Sequence, residues 1–403
     1  MNGGAGNDTF NAYGTGSEMH GGAGNDFFNV TGENNTVNGD VGNDTIRVDG
    51  SGNTAYGGEG DDLFIAGTLS EGNTIDGGAG DDRMYVDGNG NVVEGGSGDD
   101  LIRQGDSFNS GNNHFKGGVG ADSIISVGAG NISEGGADND IIVSIGAGSE
   151  LFGGDGDDLL VAGGLGATEF ANSDLELFIG MDGALNPEEG SELSGGAGAD
   201  ILMGSFGNDV LTGGEGADTY VYHVGEGQDT IVGDGQDTLV INGGILGDLS
   251  GQTIATDYSE WNDDAALRLV MRQTEDGSSA FLEMYDHDGT VGTITFDLAQ
   301  GEMIDTLKIG DLELNMGDLF EGASTVNNSY TANWGTTLQE AHDNTQYMGS
   351  ERTSVLDKME AALDEALDAS QFTGGLNSTE AVEGVATETV DNLLGTDVID
   401  DML

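Results

Sequence analysis

Cysteine is absent from this 403-residue chain, and proline occurs once, at Pro187. Without thiols, neither disulfides nor cysteine chemistry can hold or operate the fold. Nine Lys and Arg stand against 74 Asp and Glu, a formal net charge of −65. So acidic a chain excludes nucleic acid and anionic membrane as partners, and its self-repulsion keeps it expanded unless the charge is offset. No apolar run reaches membrane-spanning length, and no basic-plus-apolar N-terminal segment reads as a signal peptide. Histidine is sparse: His20, His114, His223, His287 and His342 lie singly, with no His-Glu-x-x-His zinc pattern. A Gly-x-Ser-x-Gly elbow and a phosphate loop are both missing. Carboxylates are so frequent that no one pair signals a glycosidase. The chain therefore reads as non-enzymatic.

What it does have is glycine, 75 residues of it, set out with a period. Gly-Gly-x-Gly-x-Asp begins at Gly3, Gly21, Gly39, Gly57, Gly77, Gly95, Gly117, Gly135 and Gly153, at intervals of 18 except for one of 20 and one of 22. A three-residue segment with an apolar middle follows each aspartate (Phe10, Phe28, Ile46, Phe64 and onward), and a looser turn follows at Ser17, Asn35, Asn53, Asn73, Asn91, Asn113, Asn131 and Ser149. Behind that turn lies a second apolar column, Met19, Val37, Ala55, Ile75, Val93, Phe115 and Leu151, broken by Ser133. One coil is thus turn, strand, turn, strand. The predicted fold is all-β, a parallel β-roll or β-solenoid of 18-residue coils.

The two edges of such a roll differ. One carries Asp, and a row of carboxylates a strand spacing apart repels itself unless cations lie between them. Calcium takes roughly six to eight hard oxygens, and glycine turns can direct carbonyls toward it. The other edge carries Asn or Ser, which can form a hydrogen-bonded ladder with no metal. The expectation is a single file of calcium ions along residues 3–158. The simpler alternative is that the aspartates only make Asx-turns.

These nonapeptides resemble the RTX repeats of proteins secreted by the type I pathway of Gram-negative bacteria. The resemblance implies calcium between loops one coil apart. The earlier loop would give its second and fourth carbonyls and its Asp, and the later loop its first and third carbonyls and its Asp. Carried over, the first site is Gly4, Gly6 and Asp8 with Gly21, Ala23 and Asp26; the next is Gly22, Gly24 and Asp26 with Gly39, Val41 and Asp44. Asp62, Asp82, Asp100, Asp122, Asp140 and Asp158 continue the file. Two loops depart from the pattern: Asp40 replaces a second-position glycine and Asp138 a fourth-position one.

Five segments are expected: a first roll at 1–162, an insertion at 163–194, a second roll at 195–241, a β-rich capping domain at 242–322, and a linker with an amphipathic helical tail at 323–403. In the second roll the loops end at Asp200, Asp209 and Asp218, nine residues apart, so both edges there carry Asp and both are expected to take calcium. In the capping domain Leu267, Leu269 and Met271 share a face, and Asp286-His287-Asp288-Gly289 reads as a hairpin turn. In the tail, Ser354 caps a helix with the stripe Leu356, Met359, Leu363 and Leu367, resembling an uncleaved secretion signal or else packing on the β-rich domain. Arg47, Arg83 and Arg103, close behind calcium-edge aspartates, are expected to be exposed. Met1-Asn2 runs straight into a repeat, which suggests a chain cut from something longer or a first coil covered by another molecule.

The function these features imply is an extracellular, calcium-dependent structural or adhesive protein: a component of a surface layer, filament, matrix or adhesin. It would use the type I secretion machinery, fold on calcium outside the cell, and self-assemble or join a cell surface or matrix. The alternative is the calcium-binding secretion and folding module of a larger RTX exoenzyme or toxin.

Overall fold

The computed structural model describes residues 1–104, 110–162, 190–205, 207–225, 227–242, 253–255, 265–274, 276–286, 290–310, 312–316, 323–326 and 329–332. The expected tail helices and most of the insertion lie outside these residues. The chain divides into a unit made of Met1–Gly164 and Gly183–Asp218 and a second unit that takes in Thr219 onward.

In the first unit each coil contributes two short strands. Glu18–Ala23 and Phe27–Thr31 make one coil, and Thr36–Val41 and Thr45–Asp49 the next. Like strands stack in parallel, with Met19 beside Val37 on one sheet and Phe28 beside Ile46 on the other. Alternate side chains point inward, so each sheet feeds one apolar column into the space between them. One column runs Met19, Val37, Ala55, Ile75, Val93, Phe115, and the other Phe10, Phe28, Ile46, Phe64, Met84, Ile102, all buried. Each of these side chains other than Ala55 contributes about 1.5–3 kcal/mol of burial.

The repeats after the insertion take the next rungs of the same stack. Glu192–Ala197 pairs with Glu150–Asp155, placing Leu193 beside Leu151, and Ile201–Met203 pairs with Leu159–Ala162, placing Leu202 beside Leu160. Strand pairing is set by matching turns and apolar columns, and a longer connection adds only a slowly growing entropic cost. Residues 190–218 therefore continue the first roll.

The arginines depart from expectation. Arg103 is 8% exposed, beside Tyr85 in the adjoining rung, where its long stem covers sheet surface. Arg83 is half-buried. Arg47 pairs with Asp49 at 2.9 Å, not with an edge aspartate.

In the second unit, Thr238–Asn242 lies in parallel between Thr219–His223 and Thr306–Ile309. Gln228–Val232 is parallel to Thr290–Asp297. Antiparallel partners then take over: Ser279–Tyr285 pairs with Thr290–Asp297 and with Ala265–Gln273, and Leu312–Asn315 pairs with Thr306–Ile309. Tyr285 pairs with Thr290, and most of the expected turn between them, 287–289, lies outside the described residues. Leu267, Leu269 and Met271 are at most 1% exposed. Ala323–Val326 and Ser329–Ala332 form an antiparallel pair where a polar linker was expected. Thr325, Val326, Tyr330 and Thr331 carry enough β preference to outweigh the segment's polarity.

Candidate metal centre

Every Gly-Gly-x-Gly-x-Asp loop links two strands at the same edge of the roll. The glycine at its first position is enforced by crowding. A Cβ on Gly21 would collide with Asp26 Oδ2 and lie 2.6 Å from the carbonyl oxygen of Gly39 in the next coil. The same meeting of a loop's own carboxylate with the next coil's first carbonyl recurs at Gly3, Gly39, Gly57, Gly77, Gly95, Gly135, Gly153 and Gly195. The second glycine has a different reason. Gly22 has φ +110, and a side chain there would strike the Gly4 carbonyl, so both conformation and space require glycine. Asp40 and Asp138 adopt φ 76 and 79, conformations that Asp tolerates better than most residues. The Asp138 N–H still donates to the Asp155 carbonyl at 2.7 Å, so the departing loop keeps its shape.

The aspartates form a continuous ladder. The backbone N–H of Asp8 donates to Asp26 Oδ1 at 2.6 Å, Asp26 to Asp44 at 2.6 Å, Asp44 to Asp62 at 2.6 Å and Asp62 to Asp82 at 2.7 Å. The links Asp82 to Asp100, Asp100 to Asp122, Asp122 to Asp140 and Asp140 to Asp158 are each 2.8 Å. Asp158 then donates to Asp200 at 2.8 Å and Asp200 to Asp218 at 3.0 Å. From Asp26 onward, one oxygen of each carboxylate is thereby assigned to the neighbouring coil. The other, Oδ2, is buried with no hydrogen-bond partner in Asp8, Asp26, Asp44, Asp62, Asp82, Asp100, Asp122, Asp140 and Asp200. Asp26, Asp44, Asp62, Asp82, Asp100, Asp122 and Asp140 are at most 2% exposed.

Burial without compensation shows in their acidity. Desolvation pushes Asp44 up to about 6, and Asp62, Asp100, Asp140 and Asp200 up to about 7. Asp82 and Asp122 are pushed up to about 8. The hydrogen bond from the preceding coil lowers each value, and neighbouring carboxylates raise it. A row of buried carboxylates with one unengaged oxygen apiece, each beside a carbonyl of the next coil, suits a hard divalent cation. Among the described residues no three His, Cys, Asp or Glu side chains are placed to hold a metal ion by themselves. Two carboxylates per interval therefore leave the remaining ligands to backbone carbonyls. Of the expected carbonyls, those of Ala23 and Val41 accept the N–H groups of Gly6 and Gly24, at 2.7 and 2.9 Å, and each keeps a second lone pair.

The opposite edge is self-sufficient. Asn35 Nδ2 donates to the Gly14 carbonyl at 3.0 Å, and Asn53 Oδ1 accepts the Asn35 backbone N–H at 2.9 Å and its Nδ2 at 3.1 Å. Asn53, Asn73, Asn91 and Asn113 carry the ladder on to Asn131. Asp209 falls on this edge, not on the carboxylate file. Its oxygens accept from Ser191 N–H, Ser205 N–H and Ser205 Oγ. It thus differs from the file aspartates in that both of its carboxylate oxygens accept hydrogen bonds. In the second unit, Asp237 Oδ2 accepts the Asp234 N–H at 2.9 Å, and the Asp237 carbonyl accepts the N–H groups of Asp305 and Thr306.

The structure links the aspartates of the eight expected intervals from Asp8 to Asp158 coil to coil. The sequence reading did not foresee the Asp158–Asp200 interval, because the period stops at the insertion. The signal for it was present in the fresh Gly-Gly-x-Gly-x-Asp at Gly195 with Leu193 behind it.

No curated protein matches the chain. The family model for the RTX calcium-binding nonapeptide repeat matches residues 1–14, 20–55, 42–68, 69–102, 149–164 and 194–231. It passes over 103–148, where a longer coil, the Asp138 substitution and interior serines blur the pattern, although the carboxylate ladder runs through that stretch unbroken. Across residues 1–231 the chain thus carries RTX calcium-binding nonapeptide repeats.

Proposed function

We propose that this is a non-enzymatic extracellular protein, a calcium-stiffened roll serving a surface layer, filament, matrix or adhesin. One observation carries the reading. Carboxylates follow one another in every coil from Asp8 to Asp200, and those from Asp8 to Asp140 and at Asp200 each hold a buried oxygen with no hydrogen-bond partner. Bound calcium would bridge carboxylates of neighbouring coils and remove their repulsion. Asp26 through Asp200 would hold the ions by Oδ2, with loop carbonyls completing the shell, so several ions bind per chain.

The physical consequence is linkage. Extracellular sites of this kind work at about 10⁻⁴–10⁻³ M calcium. Below that, the buried file opposes folding and the chain remains extended, as threading through a type I secretion channel requires. Outside the cell, each ion bound only by the folded state stabilises it, and neighbouring sites share aspartates, so folding is cooperative. Proteins with these repeats are typically type I substrates, which supports export by that route to the medium or the cell surface.

The experiment is to add millimolar calcium to the purified chain and follow circular dichroism, then image it by negative stain. Ordered polymers or sheets support the structural role. Folding to monodisperse monomers under all conditions would instead favour the module of a larger exoenzyme or toxin, and hydrolase or protease activity would defeat both.

A further inference from the structure

The interior of the roll changes character midway along. As far as Val86 and Val93 the inward positions nearest the Asn edge are apolar. The following rungs place Gln104, Ser126 and Ser144 in one of these columns and Ser133 in the other, all at most 1% exposed. The Gln104 N–H donates to the Ile125 carbonyl at 2.8 Å, which sets its side chain next to Ser126 on the adjoining rung. Ser126 Oγ donates to Ser144 Oγ at 2.8 Å, and that hydroxyl donates to Ser149 Oγ at 2.8 Å.

Two buried groups here remain unanswered. Gln104 Oε1 accepts the Val127 N–H at 3.1 Å and Asn131 Nδ2 at 3.0 Å. These bonds fix the orientation of the amide, because a flipped amide would aim donors at donors. Gln104 Nε2 then faces the interior with no acceptor, and Ser133 Oγ has no partner either. Ser133, two residues beyond Asn131, sits in register between Phe115 and Leu151. Serine is smaller than the Phe115 and Leu151 side chains on either side of it, and buried polar groups without a protein partner are ordinarily met by water.

The missing ligand must accept from an amide, bond a hydroxyl, be small, and be neutral. An anion fails in the interior of so acidic a chain, and a cation fails against an N–H donor. We propose that the roll encloses an ordered water site at Gln104 and Ser133, bordered by the hydroxyl row that begins at Ser126. Buried polar groups left unpaired by protein are ordinarily satisfied this way.

High-resolution crystallography of the calcium-loaded full chain tests it. Water density within hydrogen-bonding distance of Gln104 Nε2 and Ser133 Oγ is the expected result, and a dry space there overturns the proposal. Ser133→Val gives a second readout in the same calcium-loaded protein. With water present, the substitution displaces it, leaves Gln104 without an acceptor and lowers the melting temperature. If the site is dry, the same change removes an orphaned hydroxyl, fills a void and raises it.

Discussion

The backbone N–H of Asp158 reaches the carboxylate of Asp200 at 2.8 Å across 42 residues of sequence. The repeats on either side of the insertion are therefore one file, and a cation in that interval closes the longest loop in the roll. Asp200→Ala should lower the calcium bound per chain by up to two, since Asp200 belongs to two intervals. Asp209→Ala, on the opposite edge, should leave the number unchanged. Equilibrium dialysis with elemental analysis reads both. Equal losses from the two variants would sink the single-file reading.

Acidity follows from the same burial. Asp62 is raised from 3.8 to about 7, and Asp82 and Asp122 from 3.8 to about 8. Between about pH 4 and 8 the metal-free folded roll therefore binds more protons than the unfolded chain, and its stability falls as pH rises. In the presence of a chelator, β-structure should be detectable by circular dichroism near pH 5 and lost by pH 8. With calcium, protons compete for the same oxygens, so the calcium midpoint should shift to lower concentration from pH 6 to pH 8. A metal-free chain that gains structure as pH rises contradicts this.

The amide edge makes a contrasting prediction. Asn73 Oδ1 accepts two hydrogen bonds from Asn53 and its Nδ2 donates to the Gly50 carbonyl. Asn73→Ala leaves those partners buried and unpaired, at a cost of about 1–3 kcal/mol. Thermal unfolding of the calcium-loaded variant should shift down while the bound calcium stays the same. Loss of ions would show that the amide edge also takes metal.

Two glycines separate conformation from crowding. Gly16 has φ +70 with nothing within 4 Å of a Cβ, whereas Gly22 has φ +110 with the Gly4 carbonyl in the way. Gly16→Ala should cost about 1–2 kcal/mol, the price of a left-handed conformation. Gly22→Ala should cost several times more, because a backbone carbonyl one coil away has to move. Comparable melting temperatures for the two variants would refute the crowding argument.

Much of this was readable from residue spacing because a solenoid coil has few ways to vary. The position of Phe28 relative to Asp26 is enough to place one inward and the other on the edge. What escaped was whatever depends on pairing between distant coils. Residues 195–241 read as a separate roll because periodicity is a local signal, while the Leu151–Leu193 pairing is not. Nine-residue spacing put Asp209 among the ligands, yet only the placement of Ser191 and Ser205 shows its oxygens already engaged. Arg103 was expected outside because its charge was weighed without the sheet surface that its stem covers.

Each file carboxylate divides its labour, one oxygen for a neighbour's peptide N–H and the other turned toward the next interval. A vacancy at a given coil is thus transmitted through the backbone bond as well as through the shared ligand. Such an arrangement is a one-dimensional chain, and one-dimensional chains fail by being cut. Damage at Asp100, in the middle, would leave two short stacks that melt independently, whereas damage at Asp26 would trim only an end.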